Sequence, residues 1–294
     1  MTKPLSLIYL ATRPGGVDLL ATSLLRQVNA PPYELIVVDG FPGRVERTLA
    51  ERNLRQSGLP VSAYVKPKPK TFPWSRTGFA NAINTGALHA AGDYALFLHD
   101  FTLFPEDMVR RWTEVMAASD GLTHVHGKSL EFEAPPPDVV DDYVTWTYQP
   151  VEMRCRGEWV PSHWDLGYWA SPLRFFEDCN GIDERADFCF KWTTAAFVAH
   201  CLALGYSLKV DPSLTCQMVD HHLWDAAPEG PLGAVNTTWR TPGDFADVPE
   251  MPVFTDWGAN PYNFKDEHWR VLQELARPVR VHPKHHFVPD KEPA

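Results

Sequence analysis

The sequence predicts an α/β fold built on a mostly parallel, Rossmann-like sheet flanked by helices and followed by a loop-rich second half. Continuous apolar runs, typical of strands buried on both faces, alternate with segments whose apolar residues recur at helical spacing. The connections between them are short, which favours right-handed β-α-β crossovers. Of the 294 residues, 44% are hydrophobic and 22% are charged, so the composition is that of a globular protein.

The alternation is clearest in the first 120 residues. Strands are predicted at residues 5–11, 33–38, 61–65 and 94–98. Helices are predicted at residues 17–27, 45–56 and 77–91, and a fourth begins at Pro105, a residue favoured in the first turn. The third strand and third helix are separated by an extended segment that begins with KPKPK at residues 66–70.

The second half is less regular. A strand at residues 122–132 precedes a stretch rich in proline and tryptophan, and a strong helix at residues 190–204 stops at Gly205. A short strand at residues 208–210 and a helix at residues 266–276 follow. We divide the chain at residue 120 into two parts of one continuous domain.

Bulk properties exclude some classes of function. The formal net charge of −10 disfavours non-specific binding to nucleic acids, which depends on neutralising phosphates. The sequence has no run of 18 apolar residues that would indicate a membrane span, and residues 1–4 do not have the pattern of a signal peptide. We therefore expect a cytoplasmic protein. The five cysteines form no CxxC pair, and we expect them to be reduced thiols.

Polar residues follow three of the predicted strands where each strand ends. In an open parallel sheet, ligands bind beyond the carboxyl ends of the strands. We therefore expect the residues at these ends to converge on one ligand. They are Thr12 and Arg13 after the first strand, Asp39 after the second, and His99 and Asp100 after the fourth.

The two aspartates suit different parts of a nucleotide. Asp39 is placed to accept hydrogen bonds from a nucleobase or ribose, and Asp100 is placed to hold a divalent cation beside a diphosphate. Arg76 is a candidate for direct contact with the phosphates. The alternative is that both aspartates only cap the turns that follow their strands, as Asp often does.

Several short segments occur along the chain in a recognisable order. In the first half they are LIYLATR at residues 7–13, ELIVVDG at 34–40, NTG at 84–86 with AAGDY at 90–94, and FLHDFT at 97–102. In the second half they are SP at residues 171–172, NGIDER at 180–185 and HH at 221–222. In these segments the chain resembles the family 2 glycosyltransferases, which have the GT-A fold.

The resemblance implies an enzyme that inverts the anomeric carbon of a nucleotide-diphospho-sugar and uses Mn²⁺ or Mg²⁺. Residues 1–120 would bind the nucleotide-sugar, and residues 121–294 would bind the acceptor and include a C-terminal extension. Asp39 would match the residue that binds the nucleoside, and Asp100 would be what remains of the metal-binding Asp-x-Asp motif. His221 or His222 would complete the metal site.

The chain departs from the family pattern at two places. His99 stands where a further carboxylate is usual, and imidazole suits Mn²⁺ better than Mg²⁺. The Glu-Asp pair at the start of the last long helix falls near residues 191–193, where there is no acid. The carboxylate that deprotonates the acceptor hydroxyl would then be Asp183, Glu184 or Asp187, and we prefer Asp187 because it precedes the helix most closely.

Two further groups of residues have competing interpretations. His124, His126 and His163 are compatible with a zinc site, but packing is the commoner role for histidines in a region rich in tryptophan. The lysines at positions 66, 68 and 70 are either a weak phosphate-binding stripe or, as we expect, a solvated loop.

We therefore expect a glycosyltransferase that acts on a hydroxyl of a soluble acceptor: a glycan, a protein, a small molecule or a modified nucleobase. A hydroxylated base in DNA would require a basic groove, for which residues 66–76 are the candidate. The alternative from another class is a non-catalytic protein that binds a carbohydrate or a nucleotide on the same fold. A nucleotidyltransferase ranks last, since Gly15 and Gly16 are too short a glycine-rich loop.

Overall fold

The computed structural model describes residues 5–11, 16–40, 44–69, 78–100, 102–132, 155–158, 168–188, 190–219 and 263–276. These residues form a nine-stranded sheet flanked by helices, which confirms the predicted fold class. In the described parts of the chain, no helix has both the length and the apolar character needed to cross a membrane.

The elements follow one another in this order along the chain. The strands are β1 (Leu5–Ala11), β2 (Tyr33–Asp39), β3 (Val61–Val65), β4 (Tyr94–His99), β5 (Thr102–Leu103), β6 (Thr123–Phe132), β7 (Cys155–Glu158), β8 (Tyr168–Pro172) and β9 (Ser207–Val219). The helices are α1 (Gly16–Leu25), α2 (Arg44–Gln56), α3 (Phe79–His89), α4 (Met108–Ala117), α5 (Arg174–Asp178), α6 (Phe190–Ala203) and α7 (Phe264–Ala276). A 3-10 helix, Glu184–Phe188, precedes α6.

The strands are arranged in the order β3-β2-β1-β4-β8-β6-β9-β5, and β7 pairs with β6. The first four are parallel, whereas β8 is antiparallel to both β4 and β6. Strand β5 pairs with β9 at the far edge. Strands from before and after residue 120 therefore lie in one sheet.

The two faces of the sheet bury separate apolar clusters. In β1, Ile8 and Leu10 pack on the face covered by α3, and Leu7 and Tyr9 pack on the face covered by α1 and α4. This explains why the strand is a continuous apolar run, since both of its faces are buried.

Helix α3 lies very close to the sheet. A Cβ atom added at Gly86 would lie 2.3 Å from Cγ2 of Ile8, well inside van der Waals contact. A side chain at position 86 would therefore require α3 or the side chain of Ile8 to shift.

Strand β9 is longer than the short strand predicted at residues 208–210. The strand continues through Asp211-Pro212-Ser213, where the register against β6 shifts between His126 and Lys128. The side chain of Asp211 accepts hydrogen bonds from the backbone N–H and the hydroxyl of Ser213 within this irregularity. An irregular pairing of this kind accommodates a proline that a regular ladder excludes.

Candidate functional site

The carboxyl ends of β1, β2 and β4 meet at one edge of the sheet, as predicted. Ala11 is opposite Asp39, and Leu10 is opposite His99. The chain leaves β2 through Gly40, whose backbone N–H donates to the carbonyl of Ala11 at 2.8 Å. The strand register therefore places Asp39 and His99 on either side of β1.

Asp39 is fully buried at the end of β2. The hydroxyl of Tyr64, in β3, donates a hydrogen bond to Oδ2 of Asp39 at 2.7 Å. Sequence reasoning did not identify Tyr64. The feature of the sequence that could have identified Tyr64 is its position near the end of β3, the strand that pairs with β2.

His99 and Asp100 form a pair at the end of β4. Nδ1 of His99 lies 2.9 Å from Oδ1 of Asp100, and the side chain of Asp100 is fully buried while that of His99 is 19% exposed. The backbone carbonyl of Asp100 accepts a hydrogen bond from the hydroxyl of Thr102 at 3.2 Å. The more accessible group of the pair is therefore the imidazole.

An imidazole beside a carboxylate is a mixed nitrogen and oxygen donor set, which fits Mn²⁺ better than Mg²⁺. Within the described residues there is no cluster of three or more His, Cys, Asp or Glu side chains that would hold a metal. His221 and His222, predicted as further metal ligands, lie outside the described residues, as do Thr12, Arg13 and Arg76.

Asp187 caps helix α3. Its fully buried carboxylate accepts the backbone N–H groups of Ala80 at 2.6 Å and Asn81 at 3.0 Å. The residue at the N-cap position is Gly78, which has a φ of 65° and no side chain to do this. Asp187 thus satisfies two of the N–H groups that the first turn of a helix leaves unpaired.

Glu184 is buried in an ion pair with Lys68. Its Oε1 lies 2.6 Å from Nζ of Lys68 and accepts a second hydrogen bond from the amide of Asn84 at 2.9 Å. Asn84 also bonds both backbone groups of Ile182, each at 2.8 Å. These contacts join α3 to the segment before the 3-10 helix.

Asp183 is held by its neighbour Arg185. Nε of Arg185 lies 2.9 Å from Oδ1 and 3.0 Å from Oδ2, and the backbone N–H of Arg185 donates to Oδ1 at 3.0 Å. All three acids predicted as candidate bases, Asp183, Glu184 and Asp187, are therefore buried and hydrogen-bonded to the protein.

The lysine-rich segment after β3 is only partly the solvated loop that was expected. Lys66 is exposed, but Lys68 is bound to Glu184 and its backbone N–H donates to the hydroxyl of Thr85 at 3.0 Å. The carbonyl of Pro69 accepts a hydrogen bond from the amide of Asn81 at 3.3 Å. Lys70 lies outside the described residues.

The histidines of β6 are buried. The ring of His124 has four aromatic neighbours, at centroid distances from 4.6 Å to 6.0 Å, and burial lowers its pKa to about 3. These neighbours are Trp169, Phe175, Phe197 and Tyr206. For His124 this favours the packing role over zinc, while His163 lies outside the described residues.

Comparison with known proteins gives a family match and a fold match. Residues 17–125 match the family described as Glycosyl transferase family 2. The structure resembles the mannosyltransferase PcManGT of Pyrobaculum calidifontis, determined in complex with GDP-Man and Mn²⁺. The TM-score is 0.51 at 14% identity, over 74% of this chain and 57% of that one, which indicates a shared GT-A fold.

Two further solved structures are more distant. One is TarS 1–349 of S. aureus in complex with UDP, with a TM-score of 0.48 at 12% identity over 74% of this chain and 60% of that one. The other is glucosyl-3-phosphoglycerate synthase from Mycobacterium tuberculosis, with a TM-score of 0.44 at 14% identity over 72% and 70%. This chain therefore spans less than two-thirds of the first two structures. No curated protein matches the sequence.

Proposed function

Residues 17–125 match the family 2 glycosyltransferases, and the chain has a GT-A fold. We therefore propose that it transfers a sugar from a nucleotide-diphospho-sugar to a hydroxyl acceptor. The observation that carries this proposal is the common edge of the sheet, where Asp39 and the His99–Asp100 pair lie at the carboxyl ends of the strands on either side of β1. Buried polar groups at this edge suit a ligand that combines a nucleoside with a diphosphate.

In the proposed site, Asp39 accepts hydrogen bonds from the nucleoside, and His99 and Asp100 hold a divalent cation, with Mn²⁺ favoured. The cation would supply positive charge to stabilise the departing diphosphate. We assign Thr12, Arg13 and Arg76 to the donor from their positions in the sequence, and His221 and His222 to the cation from the resemblance. Transfer would proceed with inversion, as in the family.

The catalytic base stays a prediction among Asp187, Asp183 and Glu184. Each would have to weaken a buried contact before it could accept a proton from the acceptor: Asp187 with α3, Asp183 with Arg185, and Glu184 with Lys68. In each of the three acids, both carboxylate oxygens already accept a hydrogen bond from the protein.

The buried contacts of these three acids also support a second candidate function, a non-catalytic protein that binds a nucleotide or a carbohydrate. If all three acids serve the fold, the donor site could persist without transfer chemistry. A DNA acceptor is less favoured, because Glu184 neutralises the charge of Lys68 in the segment considered as a basic groove.

Thermal unfolding with a panel of nucleoside diphosphates and nucleotide-sugars, in Mn²⁺ and in EDTA, tests the donor site. A ligand at 100 times its Kd should stabilise the folded state by about 2.7 kcal/mol. We expect one nucleotide to raise the midpoint with Mn²⁺ and the rise to be lost in Asp100→Ala. The absence of any rise would contradict the proposed donor site.

Release of free nucleoside diphosphate from the donor separates the two candidate functions. A transferase should release it slowly even without an acceptor and faster with one. A protein that binds the nucleotide-sugar but leaves it intact over many hours would be the non-catalytic alternative.

A further inference from the structure

The hydrogen bond between Tyr64 and Asp39 joins two neighbouring strands at the edge of the sheet where we propose that the nucleotide-sugar binds. In the register of β2 and β3, Val37 is opposite Tyr64. Residues two apart in a strand point to the same face, so Asp39, Val37 and Tyr64 share one face of the sheet. The hydroxyl of Tyr64 reaches Oδ2 of Asp39 from this position, at 2.7 Å.

This contact restricts the rotation of the Asp39 side chain. The terminal torsion of Asp has a broad distribution, so a carboxylate at the end of a strand has no preferred orientation of its own. Tyr64 reaches Asp39 from a strand that pairs with β2, and its aromatic ring packs against the apolar cluster on that face. A hydrogen bond from this anchored hydroxyl therefore helps to hold the Asp39 carboxylate in one orientation relative to the sheet.

We propose that Tyr64 is a positioning residue for nucleoside recognition: it orients the Asp39 carboxylate so that the carboxylate accepts a hydrogen bond from the base or ribose of the donor. The inference rests on the proposed function of Asp39. Its consequence is selectivity. An oriented carboxylate favours nucleosides that present a donor group in its plane and disfavours those that present an acceptor.

Isothermal titration with UDP, GDP, CDP and ADP in the presence of Mn²⁺ tests this, using the full chain and the variants Tyr64→Phe, Asp39→Asn and the double variant. We expect Tyr64→Phe to raise the Kd of the preferred nucleoside diphosphate about tenfold. The ratio between the Kd values of the disfavoured and preferred nucleoside diphosphates should become smaller. Pyrophosphate, which has no nucleoside, should bind equally to both proteins. In the Asp39→Asn background, Tyr64→Phe should have no further effect.

Tyr33→Phe is the matched control, because Tyr33 is the first residue of β2 and lies at the opposite edge of the sheet. It should leave every Kd unchanged. Equal nucleotide binding by the full chain and Tyr64→Phe would overturn the inference alone. So would equal weakening of pyrophosphate, or an undiminished effect of Tyr64→Phe in the Asp39→Asn background. Absence of nucleotide binding by the unmodified chain would overturn the proposed function and the inference together.

Discussion

The carboxylate of Asp187 accepts the backbone N–H of Ala80 at 2.6 Å, although the two residues are 107 positions apart. Helix α3 thus begins on a cap that another part of the chain supplies, because its own N-cap position holds Gly78. The contact lies where the catalytic base was predicted, so a structural and a chemical role compete for the same side chain.

Replacing Asp187 by Ala distinguishes these roles. The variant leaves two buried N–H groups unpaired, and we expect the free energy of unfolding to fall by about 2–4 kcal/mol, measured in urea. Asp266→Ala is the matched control, an exposed acid in the first turn of α7, and should cost less than about 1 kcal/mol. Loss of donor turnover at unchanged stability would instead identify Asp187 as the base.

The pair formed by Lys68 and Glu184 should behave as one unit. Lys68→Met removes the positive charge beside a buried carboxylate, since the side chain of Glu184 is only 2% exposed. We expect the free energy of unfolding to fall by about 3–5 kcal/mol. Glu184→Gln should cost less, because the side chain of Lys68 is 20% exposed and can reach water.

The double variant Lys68→Met/Glu184→Gln should be more stable than the sum of the two single losses predicts. Urea unfolding of all four proteins gives the coupling energy. Strict additivity would show that the ion pair does not form in solution.

His124 should make the fold sensitive to acid. Burial lowers its pKa from 6.5 to about 3, so the folded protein holds it neutral while the unfolded chain takes up a proton below pH 6.5. Stability is therefore complete above pH 6.5 and is lost progressively as the pH falls toward 3. At pH 4.5 the loss is about 2–3 kcal/mol.

His124→Phe removes that titration and should reduce the decline between pH 7 and pH 4.5 by about half. Burial also lowers the pKa of His200 to about 4, so a decline of similar size and the same sign should remain. Urea unfolding at the two pH values measures both slopes. Identical slopes in the two proteins would mean that His124 is reached by solvent.

His99 should determine which cation the donor site prefers. With an imidazole beside Asp100, we expect Mn²⁺ to raise the unfolding midpoint in the presence of the bound nucleotide more than Mg²⁺ does. His99→Asp supplies a second carboxylate, which suits Mg²⁺, and the two cations should then become comparable. Equal responses to both cations in the unmodified protein would contradict this.

The sequence predicted the four parallel strands and the helices between them because their pattern is local. Strand β8 was missed because its five residues, YWASP, are a strand only through pairing with β4 and β6. The same limit applies to the site. The end of a strand locates Asp39 and Asp100, whereas the contact between Lys68 and Glu184 spans 116 residues and follows from tertiary packing.

The distant cap on α3 also bears on the order of events during synthesis. A ribosome that adds about 5–20 residues per second needs about 5–20 s to pass from Ala80 to Asp187. During that interval the first turn of α3 lacks its cap, and β4, once made, lacks its neighbour β8 until residues 168–172 have been added. The emerging chain therefore presents the open edge of β4 to chaperones until β8 has left the exit tunnel, and an uncapped α3 until the 3-10 helix has followed it.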